Sequence, residues 1–147
     1  MQISATGLAL VKACEGCVLH SYQDSVGIWT IGYGHTHGII RGMAISPLEA
    51  EDFLRTDIAW AEAAVNQSVS VPISQGQFDA LVDFTFNEGV NAFQNSTLLK
   101  MLNSSNYHGA AGQFLRWEYA GGQILPGLRR RRELERQMFL GASVLAH

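Results

Sequence analysis

The sequence predicts an α+β fold, mostly helical, on three observations. A short amphipathic stretch fills the first fifteen residues, and helical periodicity with capping signals returns from Ser46 onward. Between them the helical period disappears, in a run from Val18 to Ile45 that is rich in Val, Ile, Trp, Tyr and Thr and punctuated by Gly27, Gly32, Gly34, Gly38 and Gly42. Such a run is a small twisted antiparallel sheet or a set of hairpins. A chain of 147 residues is one ordinary domain, or two small lobes, and is long enough to bury a core. The expected layout is a single domain over 1–147. It has a small β lobe at about 16–45 and a larger helical lobe at about 46–147 that also takes in the N-terminal helix. A long helix joins the lobes, with the cleft between them.

Each element has its own signal. Ser4 caps a first helix running to about Cys14 or Glu15, and Gly16 stands where a helix turns off most easily. Leu8, Val11 and Glu15 share one face, which places Glu15 at the helix C-terminus, leaning toward an apolar wall. In the run Ile28 to His35, strand alternation sets Ile28, Thr30, Gly32 and Gly34 against Trp29, Ile31, Tyr33 and His35. Ser46-Pro47-Leu48-Glu49 opens a long helix to about Gln67, with Glu51 and Arg55 at pairing distance. Ser74-Gln75-Gly76-Gln77 opens another, with Phe78, Leu81, Val82 and Phe84 or Thr85 inward and an end near Asn87-Glu88-Gly89. Shorter helices follow around Ala92, from Ser96 to Leu102 and from Asn106 to Trp117. Gly121-Gly122 breaks the pattern before a last helix from about Pro126 to Leu140.

Composition excludes several classes. No segment approaches the roughly 18 to 20 apolar residues that span a bilayer, so stable membrane insertion is not expected. The N-terminus lacks the basic and continuous apolar regions of a secretory signal. A net charge of −3 argues against nucleic acid as a partner. Two cysteines do not make a disulfide framework.

Chemistry concentrates between Lys12 and His35. Glu15 is expected to hold its proton near neutral pH, because an apolar face and the negative end of a helix dipole both disfavour its charged form. Asp24 lies in a polar loop, Tyr-Gln-Asp-Ser-Val-Gly, where water and backbone N–H groups favour the carboxylate. Thr30 adds a fixed hydroxyl beside it, among glycines that let a sugar approach the backbone. An acid, a carboxylate and a hydroxyl are what glycoside hydrolysis requires.

The stretch GLALVKACEGCVLHSYQDSVGIWTIGYGHT, followed by QFDALVDFTFNEG at 77–89, NSTLL at 95–99 and LPGLRRRRELERQMF at 125–139, resembles the phage-type lysozymes. These are the endolysins of the T4 and P22 kind, glycoside hydrolase family 24. The resemblance covers essentially the whole chain and implies a lysozyme-like fold. It also implies a muramidase that cleaves the β-1,4 bond between N-acetylmuramic acid and N-acetylglucosamine in peptidoglycan, lysing the host cell. Glu15, Asp24 and Thr30 fall on the family's catalytic positions, with Glu as acid, the Asp-Thr pair holding the water, and inversion at the anomeric carbon. The same resemblance puts Thr36, Phe86, Asn87 and Ser96 at the glycan cleft. The chain is expected to act as a monomer, without cofactor or metal. Such an enzyme stays in the bacterial cytoplasm until a phage holin opens the inner membrane, and then acts at the periplasmic cell wall. A lytic transglycosylase would use one acid and leave anhydro ends, which Asp24 and Thr30 argue against. A non-catalytic peptidoglycan-binding module would have lost the acid.

Other residues carry competing readings. Cys14-Glu15-Gly16-Cys17 closes a helix where a redox Cys-x-x-Cys normally opens one, so the cysteines read as small buried packing residues. The sharper alternative is that oxidation pairs them and distorts Glu15. Cys14, Cys17, His20, His35 and His37 offer only half of a zinc spacing, and His35 reads as a structural histidine in support of the site. Arg129 to Arg132 cannot make one helical face, and with Glu133 and Glu135 they read mainly as a solvated, ion-paired helix whose pull on anionic membranes is a weaker possibility. Arg131 lies within the apolar arc and is a candidate to steady Glu15 or bind the anionic glycan. Asp57, inside the apolar arc of the long helix, needs a partner the sequence does not name.

Overall fold

The computed structural model describes residues 1–141. In order, the chain forms α1 (Ala5–Glu15), β1 (Val18–Gln23), β2 (Trp29–Gly32), α2 (Pro47–Ser68), α3 (Gln75–Glu88), α4 (Val90–Gln94), α5 (Thr97–Asn103) and α6 (Tyr107–Gln113). A 3₁₀ turn (Phe114–Trp117), β3 (Tyr119–Ala120), β4 (Gln123–Ile124) and α7 (Pro126–Phe139) complete it. The fold is α+β and mostly helical, as the periodicity predicts. No helix among the described residues is long and apolar enough to cross a membrane.

The chain divides into two compact units, one of Val11–Ala59 and one of Met1–Leu10 with everything from Trp60 on. The division cuts through α1 and α2, so each of these helices belongs in part to both units.

In the Val11–Ala59 unit, β1 and β2 pair antiparallel with Tyr22 opposite Thr30 and Gln23 opposite Trp29. The predicted alternation over Ile28 to His35 stops at Gly32. Gly32 and Gly34 take positive φ of 65° and 95°, and His35 folds back to exchange both backbone hydrogen bonds with Ile31 at 2.9 Å. Thr30 and Ile31 are therefore both buried, one on each face of the strand. A Cβ added at Gly32 would make only ordinary contact with Ala50 of α2 at 3.4 Å, so it is the positive φ that favours glycine here. The capping box at Ser46 forms: its hydroxyl accepts from Glu49 N–H, and its own N–H donates to the Glu49 carboxylate, each at 3.1 Å.

In the other unit α3 is the central helix, buried continuously from Phe78 to Thr85 and packed chiefly against α7. Ser74 closes its predicted capping box with Gln77. Phe84 anchors the core, meeting Phe93, Phe114 and Trp117 edge-on at centroid distances of 6.4, 5.7 and 5.3 Å. Full burial of such a side chain stabilises by about 1.5–3 kcal/mol. At the α1 N-terminus Ser4 accepts from Gly7 N–H at 3.1 Å, and both its N–H and its hydroxyl donate to Asp79 of α3.

Gly121-Gly122 does more than interrupt the helical pattern. With φ of 59° and 79° they form the two-residue turn of the β3–β4 hairpin, the primed turn that Gly-Gly supports best. The expectation of only helix and turn after Ser46 is corrected at this point.

Candidate active site

Glu15 is the last residue of α1. Its predicted apolar wall is absent: Leu8 and Val11 are buried, but Glu15 is exposed. The helix runs out at Gly16, which turns left-handed at φ 70°. What fixes the helix end is a set of residues that periodicity did not single out. Lys12 pairs with Glu51 of α2, and its ammonium lies 6.0 Å from the centre of the Tyr33 ring. The hydrogen bond and charge of Lys12 hold the Glu51 carboxyl below its ordinary range. Burial, with the neighbouring Cys17, raises the Tyr33 phenol. A lysine interrupting an apolar stretch in the last turn was the available signal.

Asp24 follows β1 directly, in the loop the sequence assigned to it. Its Oδ1 accepts from the backbone N–H groups of Val26 and Ile28, both at 2.9 Å, while its own N–H donates to Ile28 C=O at 2.9 Å. The carboxylate is thus oriented through one oxygen. Thr30, 4% exposed, donates its hydroxyl proton to Ile28 C=O at 2.9 Å. That commitment turns the Thr30 oxygen's lone pairs toward any other partner. Because Tyr22 opposes Thr30, parity along the strand sets Asp24 and Thr30 on the same face of the hairpin as diagonal neighbours.

His35 is built in from the side. Its Nδ1 lies 2.8 Å from Asp57 Oδ2, and its ring stacks on Phe53 at 4.2 Å with an interplanar angle of 3°. Phe53 and Asp57 stand one turn apart on α2 and clamp the imidazole together. Asp57 thereby gains the partner the sequence did not name. Thr36, next in the chain, is exposed.

The remaining predicted residues lie in the other unit. Phe86 is half-buried and meets Trp60 at 5.7 Å in a tilted pair. Asn87 is exposed, and its Oδ1 accepts from Arg132 at 2.8 Å. Ser96 is buried and commits its hydroxyl to capping α5, donating to Phe93 C=O at 2.6 Å and accepting from Leu99 N–H at 3.1 Å. Arg131 forks onto Asp83 of α3.

The arginine run departs most from expectation. Arg129 behaves as predicted, exposed and within 3.4 Å of Glu133. Arg132, however, is fully buried, reaching Glu88 at 2.7 Å, Asn87 at 2.8 Å and the equally buried Glu135 at 2.9 Å. Burial, with the hydrogen bond and charge of Asp83, pushes the Glu135 carboxyl well up. Burial opposes ionisation of Asp83 too, but the Glu135 hydrogen bond and the Arg131 fork outweigh it and hold Asp83 below the usual range. The two buried carboxyls are thus pushed in opposite directions, Glu135 up and Asp83 down. Asp79 and Asp83 inside the apolar run of α3 were the signal, since buried acids require buried bases.

The cysteine expectation is also corrected. Cys17 is exposed and Cys14 only half-buried, and both are reduced thiols. They flank a helix end that turns away from the core, so they do not pack it.

The family profile described as phage lysozyme matches residues 12–135. The endolysin of Acyrthosiphon pisum secondary endosymbiont phage 1 is 46% identical over 146 residues, covering 97% of this chain and all of that one. The endolysin of Salmonella phage P22 is 44% identical, covering 91% of this chain and 97% of its own. A solved structure of a P22 lysozyme mutant superposes with a TM-score of 0.88 at 43% identity, covering 95% of this chain and 99% of that one.

Proposed function

We propose, for a chain that belongs to the phage lysozyme family, an endolysin that hydrolyses the β-1,4 bond between N-acetylmuramic acid and N-acetylglucosamine in peptidoglycan, with Glu15, Asp24 and Thr30 as its catalytic residues. The single observation that supports these assignments is the hairpin. It presents Asp24 and Thr30 on one face, each already fixed by Ile28 through its own hydrogen bond. Asp24 Oδ2 and the Thr30 lone pairs then accept the two protons of one water, and Asp24 draws a proton from it as it attacks. Glu15, at the end of α1, protonates the leaving oxygen. Water attack from the face opposite the departing sugar inverts the anomeric carbon. Thr36, Phe86 and Asn87 contact the glycan in this reading, and Arg131 acts through the carboxylates around it.

The test is digestion of purified peptidoglycan by wild type, Glu15→Gln and Asp24→Asn, followed by analysis of the new ends. Reducing muramic ends and a loss of about 10³-fold in each variant are expected. Anhydro ends would make the enzyme a lytic transglycosylase, and full activity in Glu15→Gln would remove the acid. In the cell we place the enzyme in the host cytoplasm until a holin releases it to the wall. Expression without a holin should leave the culture intact until the inner membrane is permeabilised, and lysis in that setting would refute the route.

A further inference from the structure

We infer that Cys14 and Cys17 form an oxidisable dithiol site that takes small disulfides as its co-reactant and switches the catalytic helix end between an active, reduced form and a restrained, oxidised one. The inference rests on the reading of Glu15 as the acid. The two thiols bracket Glu15 and Gly16, so a bond between them closes a ring around the residue that the mechanism uses.

Accessibility comes first. Cys17 is exposed and Cys14 half-buried at the last turn of α1, so an external disulfide reaches Cys17 before Cys14. α1 ends at Glu15, so Cys17 lies beyond the helix, past the left-handed Gly16. A disulfide needs Cβ atoms about 3.5–4.5 Å apart. The turn here is still closed, Gly16 N–H donating to Lys12 C=O at 3.0 Å, before Gly16 takes its left-handed φ of 70°. Closing the bond fixes Cys17 against Cys14 and constrains the backbone at Glu15 and Gly16 between them.

The surroundings allow that movement. No atom lies within 4 Å of the position a Gly16 Cβ would occupy, so the joint rotates into open space. The restraint is on the other side. Lys12, one turn before Glu15, is held by Glu51, and Cys17 neighbours Tyr33. With Lys12 held, the restraint of a Cys14–Cys17 bond falls on Glu15, which lies inside the ring it closes.

The chemistry balances as thiol–disulfide exchange. Deprotonated Cys17 attacks one sulfur of the small disulfide; the new sulfur–sulfur bond forms as the old one breaks, and the departing thiolate takes up a proton. Deprotonated Cys14 then attacks Cys17 Sγ, closing the intramolecular bond and expelling the second small thiol. The protein loses two hydrogens and two electrons, and the small disulfide gains them.

The experiment treats the full chain with oxidised glutathione and reads free thiols, intact mass and peptidoglycan hydrolysis on the same samples. Expected are the loss of both thiols, a mass lower by two hydrogens, a fall in activity of about tenfold or more, and recovery with dithiothreitol. Cys14→Ser and Cys17→Ser should hold their activity through the same treatment. Failure of the disulfide to close, or closure with activity unchanged, would overturn the inference. Thiol count and mass do not depend on which residue is the acid. An active Glu15→Gln variant would thus fail the functional reading while the disulfide was still recorded.

Discussion

Arg131 grips Asp83 with two parallel bonds, Nε to Oδ2 at 2.9 Å and Nη2 to Oδ1 at 2.7 Å, between two side chains that are almost wholly buried. Removing one partner of a buried ion pair costs about 3–5 kcal/mol, because the other charge remains desolvated. Asp83→Ala should therefore lower the melting temperature by roughly 10 °C for a chain of this size, where each kcal/mol shifts it by about 2–4 °C. Asp83→Asn, which keeps an acceptor for the fork, should lose less. Thermal unfolding followed by circular dichroism measures both.

Glu135 and Asp83 make stability depend on pH in opposite directions. Glu135 has a raised folded value, so its contribution is complete below the ordinary 4.5 and is lost as pH climbs through the folded value. Asp83 has a lowered folded value, so its contribution is complete above the ordinary 3.8 and is lost as pH falls through the folded value. Arg131 faces Asp83, and Arg132, itself held by Glu88, faces Glu135. Glu135→Gln should flatten the fall in stability on the alkaline side and leave the acid side in place. An unchanged alkaline slope in denaturant midpoints measured from pH 5 to 9 would contradict the raised Glu135 carboxyl.

The same pair marks where sequence reading stops. The helices were legible because their start signals are local: Ser46 with Glu49 and Ser74 with Gln77 each form the box that their spacing predicts. Asp24 was legible because a polar turn supplies its own N–H donors. Arg132 was not, since a helical arc tells which residues share a face and not whether a partner helix offers them acids. Asp57 needed His35, twenty-two positions away, and sequence pattern carries no distance of that kind. Glu15 was placed correctly at its helix end but not in its surroundings, because helical spacing assigns a face and the last residue of a helix is no longer enclosed by a following turn.

His35 is held by Asp57 on one side and Phe53 on the other, and the predicted cost of losing the acid is specific. Asp57→Ala leaves a buried imidazole N–H without its acceptor, worth about 1–3 kcal/mol. Asp57→Asn restores an acceptor in the same place and should recover most of that loss. Because His35 also exchanges backbone bonds with Ile31, next to Thr30, Asp57→Ala should reduce kcat more than it changes KM. Urea unfolding and steady-state kinetics on soluble glycan fragments separate the two effects.

Asp24 and Thr30 share the Ile28 backbone, one accepting from its N–H and the other donating to its carbonyl. If both hold one water, they act as a unit and their losses do not add. Asp24→Asn should reduce hydrolysis by about 10³-fold and Thr30→Ala by about 10²-fold, within the range of a removed proton acceptor or positioning group. The double variant should fall little below the weaker single one. Thr30→Ser, which keeps the hydroxyl, should retain far more activity than Thr30→Ala. Losses that multiply in the double variant would mean that the two side chains serve separate steps, and would send the search for the water's second ligand elsewhere on the hairpin.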